Sequence, residues 1–251
     1  MRPNRLRQIW RDGGAAVNGW LQLPHGFAAE VMAAQGWDSL TVDLQHGPLD
    51  YDVALTLLQA LSYSEVTPLA RVPWNEPGII MKMLDAGCYG IICPMVNTAE
   101  QARQFVAACR YPPAGMRGVA GGTRATRFAR VKDYAKRAHE EICVLVQVEN
   151  QQGLDNLEKI AAVEGVDGVF IGPADLHASL GYPGETNNPK IMPVIDDALR
   201  RIRKAGKAPG ILTGVEADAR RWLECGGLFV AVGADTSVLA RETEKLAAKF
   251  R

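Results

Sequence analysis

Two carboxylates, Glu149 and Asp175, each follow an apolar run that predicts a buried strand. Neighbouring parallel strands lie about 4.8 Å apart, so acids that leave two adjacent strands at the same end can reach one cation. A site with oxygen ligands only favours Mg²⁺ or Mn²⁺ and leaves most positions of an octahedral ion to water and substrate. For either acid alone, the alternative is a helix cap or a partner for an arginine. The matching strand-end positions favour the shared cation.

His46 and Arg71 are the next candidates for chemistry. His46 leaves a predicted strand just before a Gly-Pro turn, so we expect an exposed imidazole that can act as a general base at neutral pH. The alternative is an ordinary surface histidine. Arg71 lies inside an apolar run, where a permanent charge needs an anion. One candidate for that anion is the substrate, a keto acid or its enolate. The other is a strand-end acid, which would form a salt bridge inside the barrel.

Other polar or small residues occur at the ends of predicted elements. Asp85 closes a predicted helix, where it either orients a catalytic histidine or is simply a polar helix end. The segment from Ile171 to Leu176 passes from strand to helix through small residues, so its backbone N–H groups can approach a carboxylate closely. Further polar residues follow the remaining runs: Trp20, Gln22, Asp43, Gln45 and Gln147.

Several kinds of chemistry lack support in the chain. There is no G-x-G-x-x-G motif after a first strand and no G-x-x-x-x-G-K-[ST] motif, which argues against dinucleotide binding and P-loop chemistry. No lysine stands at a strand end, which disfavours a Schiff-base aldolase.

Eight short apolar runs alternate with segments of helical period, which predicts a parallel sheet covered by helices. Eight such units favour a closed (β/α)₈ TIM barrel, whose active site lies at the carboxyl ends of the strands. The predicted strands are Ala16–Leu21, Ser39–Asp43, Pro68–Val72, Gly90–Val96, Ile142–Val148, Val166–Ile171, Ala208–Leu212 and Leu228–Val232. The span from Tyr111 to Arg130, rich in Pro, Gly and Arg, predicts a long functional loop.

Composition restricts the class of protein. The chain has 251 residues, 47% of them hydrophobic, which suits one barrel domain over residues 1–251. Its 28 basic and 28 acidic residues leave no net charge for nucleic acid or an anionic membrane. The five cysteines show no metal-ligand spacing, and we find no signal peptide or bilayer-spanning run. We therefore expect a cytoplasmic protein without nucleic-acid or membrane partners.

Five motifs make the chain similar to the metal-dependent class II pyruvate (2-keto acid) aldolases. The similarity covers essentially the whole chain, since two further segments, 207–212 and 229–235, extend it to the C-terminus. The motifs are Val42-Asp43-Leu44-Gln45-His46, Ala70-Arg71-Val72-Pro73, the segment Tyr111 to Gly118, Val146-Gln147-Val148-Glu149-Asn150 and the segment Gly168 to Leu176.

This resemblance implies an enzyme that reversibly cleaves 4-hydroxy-2-keto acids through a metal-stabilised enolate. The products would be an aldehyde and pyruvate or an analogue such as hydroxypyruvate. It implies Glu149 and Asp175 as ligands of Mg²⁺, Mn²⁺ or Co²⁺, and Arg71 as the contact of the keto oxygen. His46, with Asp43 or Asp85 behind it, would manage proton transfer.

The resemblance also implies the substrate site and the assembly. A homohexamer is implied, with the final helix packed on a neighbouring barrel. The implied substrate-site residues are Gln147, Gly172, Pro173 and Ala174 around the keto acid, Trp20 and Leu212 as pocket walls, and Arg124 in the loop that encloses the aldehyde.

The chain departs from the family pattern at one position, and two alternative functions remain open. Relatives commonly carry an acid directly before the catalytic histidine, where this chain has Gln45, so metal preference and pH optimum are open. One alternative is an acyl-CoA lyase of the same superfamily, of the malyl- or citramalyl-CoA type, which usually needs additional chain for the CoA. The other is a non-catalytic keto-acid-binding barrel, which would need no pair of chelating acids.

Overall fold

The computed structural model describes residues 1–251 and places eight parallel strands in a closed barrel in sequence order. Each strand pairs with the next, and the last pairs with the first. The prediction of a (β/α)₈ barrel is confirmed. The strands are β1 (Ala16–Leu21), β2 (Ser39–Asp43), β3 (Thr67–Arg71), β4 (Gly90–Cys93), β5 (Cys143–Val148), β6 (Gly168–Ile171), β7 (Ala208–Leu212) and β8 (Phe229–Ala234).

The helices alternate with the strands, with one helix before β1 and one after β8. The helices are α1 (Arg5–Arg11), α2 (Gly26–Ala33), α3 (Tyr51–Leu61), α4 (Pro77–Asp85), α5 (Ala99–Cys109), α6 (Tyr134–Glu141), α7 (Gln151–Asp155), α8 (Leu157–Ala161), α9 (Pro173–Ser179), α10 (Met192–Lys204), α11 (Glu216–Glu224) and α12 (Asp235–Ala248).

The strands read as continuous apolar runs because both of their faces are covered. Every residue of β2 to β6 is buried. Inside the barrel, the aromatic rings of Trp20, Phe170 and Phe229 pack in a row, with successive centroids 5.9 Å apart. This interior is a filled core, so a substrate has access only at the two ends of the barrel.

Strand β4 ends earlier than the sequence predicts, at Cys93 instead of Val96. Pro94 follows and has no N–H for the ladder, and Met95 adopts a positive φ of 54°. The chain therefore turns out of the sheet directly after Cys93. This turn brings the Met95 N–H to the carboxylate of Glu149.

The predicted loop after α5 is irregular, as expected. It packs at the amino end of the barrel, where the strands begin, because the Ala125 N–H donates to the Asp85 carbonyl at the end of α4 (3.0 Å). Its Arg117 is completely buried.

The last helix, α12, buries only its first residue, Asp235, in this chain. Three large apolar side chains of its outer part are exposed: Leu239 (55%), Leu246 (57%) and Phe250 just after it (84%). No helix of the chain has the length and apolarity that crossing a bilayer requires.

Candidate active site

The polar side chains that follow the strands gather at the carboxyl end of the barrel. The register of β2 and β3 places Asp43 directly beside Arg71. On the opposite side, Gln147 lies in the last part of β5, Glu149 directly follows that strand, and Asp175 follows β6, which pairs with β5. The predicted catalytic and metal-binding acids therefore share one end of the barrel, except Asp85.

Asp43 and Arg71 form a buried bidentate ion pair. Arg71 Nε donates to Asp43 Oδ1 (2.8 Å), and Arg71 Nη2 donates to Oδ2 (2.7 Å). Burial alone would raise the pKa of the Asp43 carboxyl, but the hydrogen bonds and charge of Arg71 outweigh it, so the pKa is lowered. The alternative of a salt bridge inside the barrel is thus observed.

The pairing leaves one edge of the Arg71 guanidinium free, because Nη1 donates to no protein acceptor. The guanidinium carbon lies 4.1 Å from the centre of the Trp20 ring. Trp20 is completely buried, so it supports Arg71 from below and does not form an open pocket wall. Leu212, the last residue of β7, is partly exposed.

Glu149 is 1% exposed, and both of its carboxylate oxygens have partners. Oε1 accepts from the Met95 N–H (2.7 Å), and Oε2 accepts from the Gln147 side-chain amide. Burial raises the pKa of the Glu149 carboxyl despite these hydrogen bonds, and the nearby charge of Asp175 raises it further. The site thus holds two acids that repel each other unless a cation joins them.

Asp175 lies in the first turn of α9 with an exposed side chain that bonds to no other residue. The backbone N–H groups of Ala174 and Asp175 likewise donate to no protein acceptor. Gly172 precedes this turn, and a Cβ on it would lie 2.3 Å from Glu149 Oε2 and 3.0 Å from Gln147 Nε2. A glycine is therefore needed at position 172 for the chain after β6 to pass so close to Glu149.

The donor set of this site suits a hard divalent cation. Besides the carboxylates, the side-chain oxygens of Gln147 and Gln45 are buried without a hydrogen-bond partner. Such oxygens are costly unless water or a ligand contacts them. No group of three His, Cys, Asp or Glu side chains is suited to hold a metal. Glu149 and Asp175 would thus supply two ligands and leave the other positions to water and substrate.

The histidines differ in their surroundings. His46 is exposed at the carboxyl end of the barrel, and its imidazole makes no hydrogen bond within the chain. The Asp43 carboxylate accepts from the His46 backbone N–H (3.3 Å) and does not contact the ring, so Asp43 does not orient this imidazole. His177 is buried between the Pro173 carbonyl and the Asn188 N–H, which is a structural role.

Asp85 and Arg124 lie away from this site in their own chain. Asp85 ends α4 at the amino end of the barrel, where it accepts from Arg117 Nη2 (2.7 Å). Arg124 donates to the carbonyls of Ala86 (2.6 Å) and Leu58 (2.9 Å). Each helix runs opposite to the strands, so the end of α4 cannot reach the carboxyl end of the same barrel. Their predicted roles would need a second copy of the chain.

Two contacts at the site were not predicted. Gln22 was noted as a strand-end residue, but its hydrogen bond to Asp43 was not foreseen. The Met95 N–H contact with Glu149 comes from the backbone, and only the preceding proline indicates it in the sequence.

Comparison with known proteins identifies the family of the chain. The sequence profile described as HpcH/HpaI aldolase/citrate lyase matches residues 19–241. Over 248 residues, or 98% of the chain, it is 46% identical to 4-hydroxy-2-oxo-heptane-1,7-dioate aldolases from Shigella flexneri and Escherichia coli. These alignments cover 93% and 95% of the two relatives.

Solved structures agree with the sequence match. An HpcH/HpaI aldolase/citrate lyase family protein from Burkholderia cenocepacia superimposes with a TM-score of 0.95, 38% identity and 99% coverage of both chains. An HpcH/HpaI aldolase from Desulfitobacterium hafniense superimposes with a TM-score of 0.90 and 28% identity, covering 98% of this chain and 96% of that chain. The chain therefore belongs to the HpcH/HpaI aldolase/citrate lyase family, in which its similarity to the named aldolases makes it an aldehyde-lyase.

Proposed function

We propose that this aldolase reversibly cleaves 4-hydroxy-2-keto acids to an aldehyde and pyruvate, or an analogue such as hydroxypyruvate. The observation that carries the proposal is the pair of acids, Glu149 and Asp175, at the same barrel end as an arginine with one free N–H edge. The names of the curated relatives support the substrate class.

We propose that Glu149 and Asp175 hold a divalent cation, Mg²⁺, Mn²⁺ or Co²⁺. Oxygen-only ligands and the unpartnered amide oxygens of Gln147 and Gln45 support this assignment. When bound, such an ion supplies a Lewis acid that polarises the keto group of the substrate.

The chain's own residues bind and orient the keto acid. Arg71 Nη1, which donates to no acceptor within the chain, donates to the keto oxygen and to the enolate oxygen that replaces it. The free N–H groups of Ala174 and Asp175 bind the substrate carboxylate, where the positive end of α9 favours an anion. These contacts place C3 and C4 at the carboxyl end of the barrel.

Proton transfer falls to His46 in this proposal. In the cleavage direction, its imidazole accepts the proton of the C4 hydroxyl, the C3–C4 bond breaks, and the bonding electrons pass into the enolate while the aldehyde leaves. The enolate then takes a proton at C3 to give pyruvate. The exposed and unbonded imidazole supports this role, because no partner within the chain competes for the proton.

A homohexamer is also proposed, with α12 packed on a neighbouring barrel. Leu239, Leu246 and Phe250 support this arrangement because they find no cover within their own chain. The acyl-CoA lyase alternative has no comparable support, since the chain already spans 93% of a relative named as an aldolase.

Proton–deuterium exchange at C3 of pyruvate in D₂O tests the proposal before any aldehyde is chosen. We expect Mn²⁺-dependent exchange that a chelator abolishes and that Glu149→Gln and Arg71→Ala each lower by at least about 10²-fold. Glu30→Gln is the matched control, because Glu30 is an exposed acid on α2. Equal exchange with and without metal, or none by the wild-type protein, would contradict the proposal.

A further inference from the structure

A side-chain amide connects the Asp43–Arg71 pair to the start of the last helix. Gln22, which directly follows β1, donates from Nε2 to Asp43 Oδ2 (2.8 Å), and its Oε1 accepts from Thr236 Oγ1 (2.8 Å). Its backbone N–H donates to Asp235 Oδ1 (2.9 Å). Gln22 is thus held at three points, two of them in the first turn of α12.

The orientation of this amide follows from the charge of its neighbours. The pKa of Asp43 is lowered, so its carboxylate only accepts, and the NH₂ group of Gln22 must face it. The amide oxygen then faces the Thr236 hydroxyl, which can donate. Turning the amide over would place an oxygen against a carboxylate, which is unfavourable in a buried site.

Asp43 depends on this donor because it is completely buried. A buried ion pair is stable only if the remaining lone pairs of the carboxylate are also satisfied. Apart from Arg71, Gln22 is the only side chain that donates to Asp43, and it does so on Oδ2, while the backbone N–H groups of Gln45 and His46 serve Oδ1. Without Gln22, the Oδ2 side of the carboxylate would be held by Arg71 alone.

We propose that Gln22 is a positioning residue of this aldolase. It fixes the plane of the Asp43 carboxylate and thereby the direction of Arg71 Nη1, and it makes both depend on Asp235 and Thr236 at the start of α12. The inference rests on the proposed role of Arg71 at the keto oxygen. Asp235 is the one fully buried residue of α12, so Gln22 connects the site to the anchored end of that helix.

A variant of similar side-chain length separates the effect of the Gln22 hydrogen bond from the effect of its volume. Gln22→Met keeps the length and removes the donor, and we expect kcat/KM for retro-aldol cleavage to fall roughly tenfold, mainly through kcat, because Arg71 acts on the developing enolate. Gln59→Met is the control, since Gln59 is exposed on α3 and its side chain makes no hydrogen bond. Thermal unfolding of each variant confirms that it is folded.

Gln22→Glu gives a readout that packing alone would not change. At neutral pH the introduced carboxylate repels Asp43, whereas in its protonated form it donates a hydrogen bond to Asp43. The charged groups facing this position are Asp43, Asp235 and Arg71. We therefore expect the activity of Gln22→Glu relative to wild type to rise as the pH falls. The ratio for Gln22→Met should stay constant.

The link to α12 has its own pair of variants. Thr236→Val removes the hydroxyl that orients Gln22, and we expect a loss in kcat of the same sign and several-fold in size. Thr243→Val, on the same helix, removes a hydroxyl that contacts only the carbonyls of Leu239 and Ala240, and should leave kcat unchanged.

The outcomes separate this inference from the proposed function. Wild-type kinetics of Gln22→Met and Thr236→Val, measured in a protein that exchanges pyruvate C3 protons with metal, would overturn the role of Gln22 alone. A flat pH ratio for Gln22→Glu would also overturn it, because the effect would then be one of packing. A wild-type protein without metal-dependent exchange would instead overturn the proposed function.

Discussion

Asp43 and Arg71 stand side by side at the carboxyl ends of β2 and β3 and together expose a single donor edge. The Asp43 side chain is 0% exposed and the Arg71 side chain 7% exposed. The two carboxylate oxygens accept from Nε and Nη2 of the guanidinium, so the edge that carries Nη1 remains free for a ligand. The pair is neutral as a whole, which makes a buried cation tolerable before substrate arrives. Its geometry is therefore part of both the stability and the proposed chemistry of the protein.

Asp43→Asn is expected to destabilise the fold strongly. The change leaves the Arg71 cation buried without an anion, which costs about 3–5 kcal/mol of unfolding free energy. Urea unfolding followed by circular dichroism measures the difference. Glu100→Gln is the control, because it breaks the exposed Arg103–Glu100 pair (2.8 Å), which is worth no more than about 1 kcal/mol. Similar small losses in both variants would show that the buried pair does not support the fold.

The stability difference between wild type and Asp43→Asn should depend on pH in a defined direction. The pKa of Asp43 is lowered from its ordinary value of 3.8, so the native state binds its proton less readily than the unfolded state. The contribution of Asp43 is therefore complete above pH 3.8 and is lost as the pH falls through the lowered native pKa. Unfolding series at several pH values should give a constant difference from pH 7 to pH 5. A difference that grows on acidification would contradict the sign of the shift.

The sequence predicts the barrel and the strand-end acids for a simple reason. In a parallel barrel, the carboxyl ends of all strands meet at one end, so the position of Glu149 or Asp175 in the chain already gives its place in the fold. The partner of Arg71 could not be chosen in the same way. Asp43, Glu149 and Asp175 all lie at the carboxyl ends of strands, and only the register of β2 and β3 shows that Asp43 is the neighbour of Arg71.

Other features depend on contacts that residue types do not encode. A role was predicted for Asp85 from its position and from resemblance, and for Arg124 from resemblance alone, but the direction of α4 and the fold of the loop after α5 place both at the amino end of the barrel. The Met95 contact to Glu149 uses a backbone N–H in a positive-φ conformation, so no side-chain pattern indicates it. The contacts of Gln22 with α12 depend on the pairing of β8 with β1, because this pairing brings the start of α12 beside Gln22.

Gly172→Ala should impair the proposed metal site. The added Cβ would lie 2.3 Å from Glu149 Oε2 and 2.8 Å from Glu149 Cβ, so the carboxylate or the start of α9 must move. We expect metal affinity to fall about 10–100-fold, with a stability loss of about 1–3 kcal/mol. Calorimetric titration with Mn²⁺ measures the affinity. Gly118→Ala provides the comparison, because a Cβ at Gly118 meets no atom within 4 Å. Unchanged affinity in Gly172→Ala would argue against Glu149 as a ligand.

The exposed side of α12 predicts how the chain assembles. A helix turns by about 100° per residue, so Leu239 and Leu246 lie within about 20° of each other on one face of α12, and Phe250 follows the end of the helix. Burying each of these side chains on a partner contributes about 1.5–3 kcal/mol, and a carboxylate in their place would also be desolvated.

Leu246→Glu combined with Phe250→Glu is therefore expected to shift the protein from the proposed hexamer to smaller species. Sedimentation velocity distinguishes these species directly. Ala248→Glu makes the same kind of change on the opposite, exposed face of the helix and should leave the assembly intact. If the double variant sediments like wild type, or if wild type is itself a monomer, this face of α12 is not the contact. Disassembly with a matching loss of kcat would connect α12 to the site, because Asp235 and Thr236 begin the same helix and hold Gln22.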